Sequence, residues 1–140
     1  MHGEAEALIQ LALTLSQADP EAGRQTLNHL DHALRSARRL GTRPLECHVL
    51  NALGEVLLGA GRSEQALDQH AAALELARRT GERDEQARAH RGLARAHADL
   101  GNHDQAHDHL QEALGLYTAL AAPEADQIRD QFATTPKPGA

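Results

Sequence analysis

Apolar positions along this chain repeat one phrase three times. Leu50, Leu53 and Leu57 are followed by Ala66, His70 and Ala73. Forty residues on, the same register reads His90, Leu93 and His97, then Ala106, Leu110 and Ala113. A fainter first copy reads Leu8, Leu11 and Leu15, then Thr26, Leu30 and Ala33. The i, i+3, i+7 spacing of the first set in each copy and the i, i+4, i+7 spacing of the second place each set on one face of a helix, so every copy predicts two amphipathic helices. The first copy keeps phase only if its internal turn is two residues longer, around Asp19-Pro20. Otherwise polar Gln10, Thr14 and Gln17 fall on the buried face.

The punctuation agrees with the periodicity. Helices are expected over 4–17, from Pro20 to Gly41, from Thr42 to about 59, then over 63–80, 84–100, 102–121 and 123–132. Asp19 before Pro20 reads as a helix start, Gly41, Gly81 and Gly101 as stops, Thr42 as an N-cap, and Asn102 with Gln105 as a capping box. The expected organisation is one domain over 4–132, with repeats at 5–41, 43–81 and 83–121. A capping helix over 123–132 covers the last repeat with Ile128 and Phe132, and 133–140 is a disordered tail rich in proline.

Composition narrows the function classes. Tyr117 and Phe132 are the only aromatics among 140 residues, so the core must be built from Leu and Ala. The net charge of -6 disfavours direct nucleic-acid binding, which needs a basic surface. No apolar run approaches the roughly 20 residues that span a bilayer, and the start of the chain carries no leader pattern. A single Cys47 gives no internal disulfide and fits a reducing cytoplasm. All but Lys137 of the 14 basic residues are arginine, a bias that suggests a GC-rich bacterial genome.

Leu53-Gly54 with Ala66 and Ala73, and Leu93-Ala94 with Ala106 and Ala113, resemble the tetratricopeptide repeat. That resemblance implies an all-α, right-handed α-solenoid of three helical hairpins whose small residues allow close helix approach. The sequence departs from the family in two ways. The usual large aromatics give way to Leu50, Leu57 and His70, then to His90, His97 and Leu110, and the period is 40 residues rather than about 34. The Arg- and Ala-rich run over 73–94 and the ending Leu120-x2-Pro123-Glu124-Ala125-Asp126-x-Ile128-Arg129 carry a narrower resemblance. They are similar to the C-terminal repeat regions of actinobacterial antibiotic-regulatory (SARP-type) transcription regulators. No Gly-rich phosphate loop with a lysine accompanies it.

The family resemblance implies that the first helix of each pair lines a concave groove. Asn51, Glu55, Arg88, Arg91 and Arg95 are therefore the candidate groove residues. Arg88, Arg91 and Arg95 share a helix face and suit a carboxylate or acidic peptide, while Asn51 suits an extended peptide backbone. The competing reading is a solvated face with Asp84–Arg88 and Arg95–Asp99 pairs, and with Glu55 neutralising one arginine. Ile9 and Leu13 form a second apolar edge, expected to be covered by a homodimer partner or by an upstream domain. The expected function is non-catalytic binding of a protein or peptide, or self-association, within a bacterial transcription regulator. The alternative is a sensor of a small peptide signal or acidic metabolite.

No cofactor or metal is expected. His103 and His107, at i and i+4, have workable ligand spacing with His109 near, but no further ligands in pattern. Cys47 beside His48 lacks an orienting third group, so the thiol reads as a small buried apolar residue rather than a nucleophile. His70, His90 and His97 fill packing positions and should stay neutral where buried, which predicts sensitivity to acid.

Overall fold

The computed structural model describes residues 20–134. α1 spans Pro20–Leu40, α2 Arg43–Gly59, α3 Ser63–Thr80, α4 Arg83–Asp99, α5 His103–Ala119 and α6 Glu124–Thr134. No strand occurs among the described residues, and the all-α class stands. α2 with α3, and α4 with α5, form two hairpins, and α1 precedes them. The expected helix over 4–17, with Ile9 and Leu13, lies outside the described residues. α6 continues through Thr134, two residues into the expected tail.

One turn geometry reverses the chain every 20 residues. The backbone N–H of Thr42, Arg62, Glu82, Asn102 and Ala122 donates to the carbonyl five residues earlier, at 2.8–3.0 Å. These are the long-range bonds of a Schellman turn, which needs a left-handed residue just before the donor. Gly41, Gly61, Gly81 and Gly101 supply it with φ of 71, 78, 72 and 81°; at the fifth turn Ala121 holds φ 52° without being glycine.

The turn also overrides two expected caps. Neither Thr42 nor Asn102 caps the following helix through its side chain. Thr42 Oγ1 instead donates back to the Ala37 carbonyl at 3.3 Å, and Asn102 Nδ2 meets His97 Nδ1 at 3.3 Å. Only the backbone carbonyls of these residues serve the next helix, accepting from Glu46 and Ala106.

α2 is the middle of the stack and is buried around most of its circumference, from Cys47 through Leu58 except Glu55. Leu30 and Leu34 of α1, Leu50, Leu53 and Val56 of α2, Leu74 of α3 and Leu93 of α4 form one core. Fully burying each such side chain is worth about 1.5–3 kcal/mol. A second core joins Ala87, Ala113 and Tyr117 to Ala125 and Ile128, with Phe132 packed against it, so α6 covers the last hairpin as expected. Cys47 lies fully inside, and burial pushes its thiol up to about 11, which removes it as a nucleophile near neutral pH. Each helix packs on its successor. α2 also packs on α4 across the hairpin boundary, whereas α4 and α6 make no such approach.

Candidate functional site

The seam between α2 and α4 is shut by a side chain from below. His70, on α3, is fully buried, and its ring lies against two glycines. A Cβ placed on Gly54 of α2 would sit 2.4 Å from His70 Nε2, and one on Gly92 of α4 would sit 2.3 Å away. Both helices must lack a side chain there for the imidazole to fit.

Asn51 fixes that ring. Its amide Nδ2 donates to the Glu85 carbonyl and to Glu85 Oε1, both at 3.1 Å, which leaves Oδ1 as the acceptor for His70 Nδ1 at 2.8 Å. Asn51 is therefore fully buried and does not face a groove, contrary to the expectation for a peptide-backbone contact. Its place on α2 points into the seam with α3 and α4, where a polar group is kept only by full hydrogen bonding.

The network continues to the surface through charge. Arg88 Nη1 donates to Glu85 Oε1 at 3.3 Å, and Arg88 Nε pairs with Glu55 across the seam. The partners of Arg88 are thus Glu55 and Glu85, not the Asp84 suggested by helical spacing. His48 Nδ1 lies 3.2 Å from Glu85 Oε2 and 3.0 Å from Arg88 Nη1. A guanidinium only donates, so the two contacts cannot both be hydrogen bonds; the carboxylate is the stronger partner for Nδ1–H. Burial pushes the Glu85 carboxyl up, yet the bond from His48, the charge of Arg88 and the bond from Asn51 hold it below its ordinary value.

The next seam, between α4 and α6, stays open. Forty residues beyond Gly54, His70 and Gly92 stand Ala94, Leu110 and Phe132, and all three line a groove of about 1070 Å³. Leu58, Ala98 and Tyr117 extend its apolar floor, and Arg91 on its wall donates to Gln127 Oε1 of α6 at 3.0 Å. α6 stands where the first helix of a fourth copy would stand, but it carries Phe132 in place of a close-packing glycine. That ring packs edge-on against His107 of α5, and α6 makes no close backbone approach to α4.

Glu55, Arg88, Arg91 and Arg95 all line this groove, but they are not equivalent there. Arg88 is neutralised by two carboxylates, Arg91 is hydrogen-bonded to Gln127, and Arg95 is exposed and has no ion-pair partner among the described residues. Asp99, expected to pair with Arg95, accepts from Ser63 Oγ at 3.4 Å. Three guanidinium groups face the carboxylates of Glu55, Asp99, Asp104 and Glu124, so the groove is mixed in charge rather than basic.

The tetratricopeptide repeat family model matches residues 21–79 and 49–119, which together cover most of the chain. The chain belongs to the tetratricopeptide repeat family. Repeats of this family mediate protein–protein interaction on a non-catalytic scaffold. Among the described residues no helix is long and apolar enough to cross a membrane.

The tetratricopeptide register also explains the remaining histidines. His90 stands where Leu50 stands one copy earlier and is buried; its Nδ1 lies 3.0 Å from His109 Nδ1. Burial, then the neighbouring His109 and Arg78, lowers His90 to about 4. His97 is half-buried and stacks on His109, with ring centroids 5.5 Å apart and planes within 4°. His103 and His107 lie instead at one end of the groove, where His107 meets the Phe132 ring edge-on at 5.0 Å. Among the described residues no group of three or more His, Cys, Asp or Glu is arranged to hold a metal ion. Sequence reasoning missed Leu110, Tyr117, Glu124 and Gln131 as groove residues. Carrying the 40-residue register through Phe132 would have exposed the missing glycine.

Proposed function

We propose that the open seam between α4 and α6 binds a segment of a protein partner through an apolar side chain and one nearby carboxylate. The observation that carries this reading is the groove itself, with Ala94, Leu110 and Phe132 where the preceding seam is filled. The apolar side chain would lie against Leu110 and Phe132, and the carboxylate would face Arg95 and Arg91. With as many as four carboxylates on its walls, the groove suits a singly acidic segment better than a polyanion. Its volume reaches the top of the roughly 300–1,000 Å³ of small-molecule pockets, which favours a peptide over an acidic metabolite.

The module is further proposed to serve a bacterial transcription regulator in the cytoplasm. The Arg- and Ala-rich composition and the ending over 120–129 support that setting. Ile9 and Leu13 stay proposed as a seam for a second copy or another domain of the parent protein.

Selection of displayed random peptides against the intact chain tests the groove. Selected peptides should carry an aliphatic or aromatic residue near one Asp or Glu. Leu110→Glu should weaken them tenfold or more, and Arg95→Ala by about fivefold, the value of an exposed ion pair. Equal binding by the parent and both variants would place the site elsewhere.

A further inference from the structure

The polar chain beneath the closed seam ends in a nitrogen with no partner. Asn51 can offer His70 only its Oδ1, because its Nδ2 is spent on two acceptors of Glu85. His70 Nδ1 must therefore carry the proton, and Nε2 is the bare nitrogen. That Nε2 is buried, has no hydrogen-bond partner and abuts the backbones of Gly54 and Gly92. A second proton would have to go there, creating an N–H without an acceptor and a charge without a counter-charge.

The surroundings offer an imidazolium no relief. α2 and α4 are the helices packed over this ring. The titratable groups of this seam are His48 and Glu55 on α2 and Glu85 and Arg88 on α4, joined to one another by ion pairs and hydrogen bonds. Both carboxylates are already engaged by Arg88. On its own helix the residues one turn away, Ala66, Leu67, Ala73 and Leu74, are apolar.

We propose that His70 is an acid-released lock: the neutral ring closes the α2–α4 seam, and protonation of Nε2 expels it from between Gly54 and Gly92. The same seam carries the Glu55–Arg88 pair at the edge of the groove, so releasing the lock also loosens that wall.

Burial, then the nearby Arg88, lowers His70 from 6.5 to about 4. A group whose folded value is depressed favours folding fully above its unfolded value of 6.5. That advantage drains as pH falls from 6.5 toward 4. Between pH 8 and pH 5 it amounts to about a 30-fold rise in the unfolding equilibrium constant from this residue alone.

Two measurements on the full chain decide the matter. Long-range proton–nitrogen spectra should show His70 as the Nδ1–H tautomer, with Nε2 still bare at pH 5. Denaturant unfolding at pH 8 and pH 5 should show the parent's constant rising about 30-fold more than that of His70→Gln. The glutamine amide still donates to Asn51 Oδ1 but does not titrate, and His70→Phe serves as a second non-titrating ring. A His70 ring protonated at pH 6 in the folded chain would overturn the proposal. So would parallel acid responses of the parent and both variants.

Discussion

Two seams built from one repeated motif have opposite fates. Between α2 and α4, glycines at 54 and 92 let the backbones close over His70, and the space is filled and polar. Between α4 and α6, the corresponding positions are Ala94 and Phe132 over Leu110, and the space is an open groove with an apolar floor and walls of mixed charge. The hairpin scaffold is the same on both sides; the side chains at three register positions, 54/94, 70/110 and 92/132, distinguish the closed seam from the open one. Asn51 and Arg91 show the same split, since they are also 40 residues apart. Asn51 is sealed inside with Glu85 and His70, whereas Arg91 on the groove wall donates to Gln127.

The sharpest way to break this contrast is to return a methyl group to the closed seam. Gly92→Ala puts a Cβ 2.3 Å from His70 Nε2, and the ring cannot retreat because Gly54 bounds its other side and Asn51 holds Nδ1. Overpacking of this kind costs about 3 kcal/mol. Denaturant titration should register it as a lower midpoint with an unchanged slope. Shrinking the ring should recover part of the loss, so His70→Ala should be cheaper in the Gly92→Ala background than alone. Additive costs in that double-mutant cycle would mean that ring and methyl do not compete for one space.

Much of this fold was legible in advance because its signals are local. The helix faces follow from Leu50, Leu53 and Leu57 and their copies, and Gly41, Gly81 and Gly101 mark three of the turns directly. Ile128 was readable as the cap's buried residue. Less legible was anything that depends on which helix lies opposite. Asn51 looks like a surface residue in sequence, and its burial becomes apparent only once Glu85 and His70 are placed beside it. Arg88 had two acidic candidates, Asp84 and Glu55; the crossing of α2 and α4 decides for Glu55, while Glu85 on the same helix takes the place of Asp84. The caps at Thr42 and Asn102 failed for a different reason: the Schellman bond fixes the backbone there and turns each side chain back toward the preceding helix.

A smaller effect is expected at the boundary between the stack and α6. Ala121 holds a left-handed φ of 52° at the one described turn that lacks glycine. An L-residue with a Cβ is strained there by roughly 1–2 kcal/mol, and part of the relief is lost to the extra freedom of glycine in the unfolded chain. Ala121→Gly should therefore stabilise by about 1 kcal/mol, raising the thermal midpoint by a few degrees. The turn sets how α6 leaves α5, so amide exchange in α6 should slow with it. A destabilised variant would show that the Cβ makes contacts worth more than the strain it brings.

The smallest effect gives the contrast its control, because it repeats the Gly92 substitution with the opposite sign. Gly115 lies inside α5 on an exposed face, and a Cβ built there meets nothing within 4 Å. Glycine in a helix interior costs roughly 0.5–1 kcal/mol against alanine, through backbone entropy alone. Gly115→Ala should accordingly stabilise by about that amount in the same titration that shows Gly92→Ala losing several times more. Were both to shift the midpoint in one direction, helix propensity would govern both sites and the steric account of the closed seam would fail.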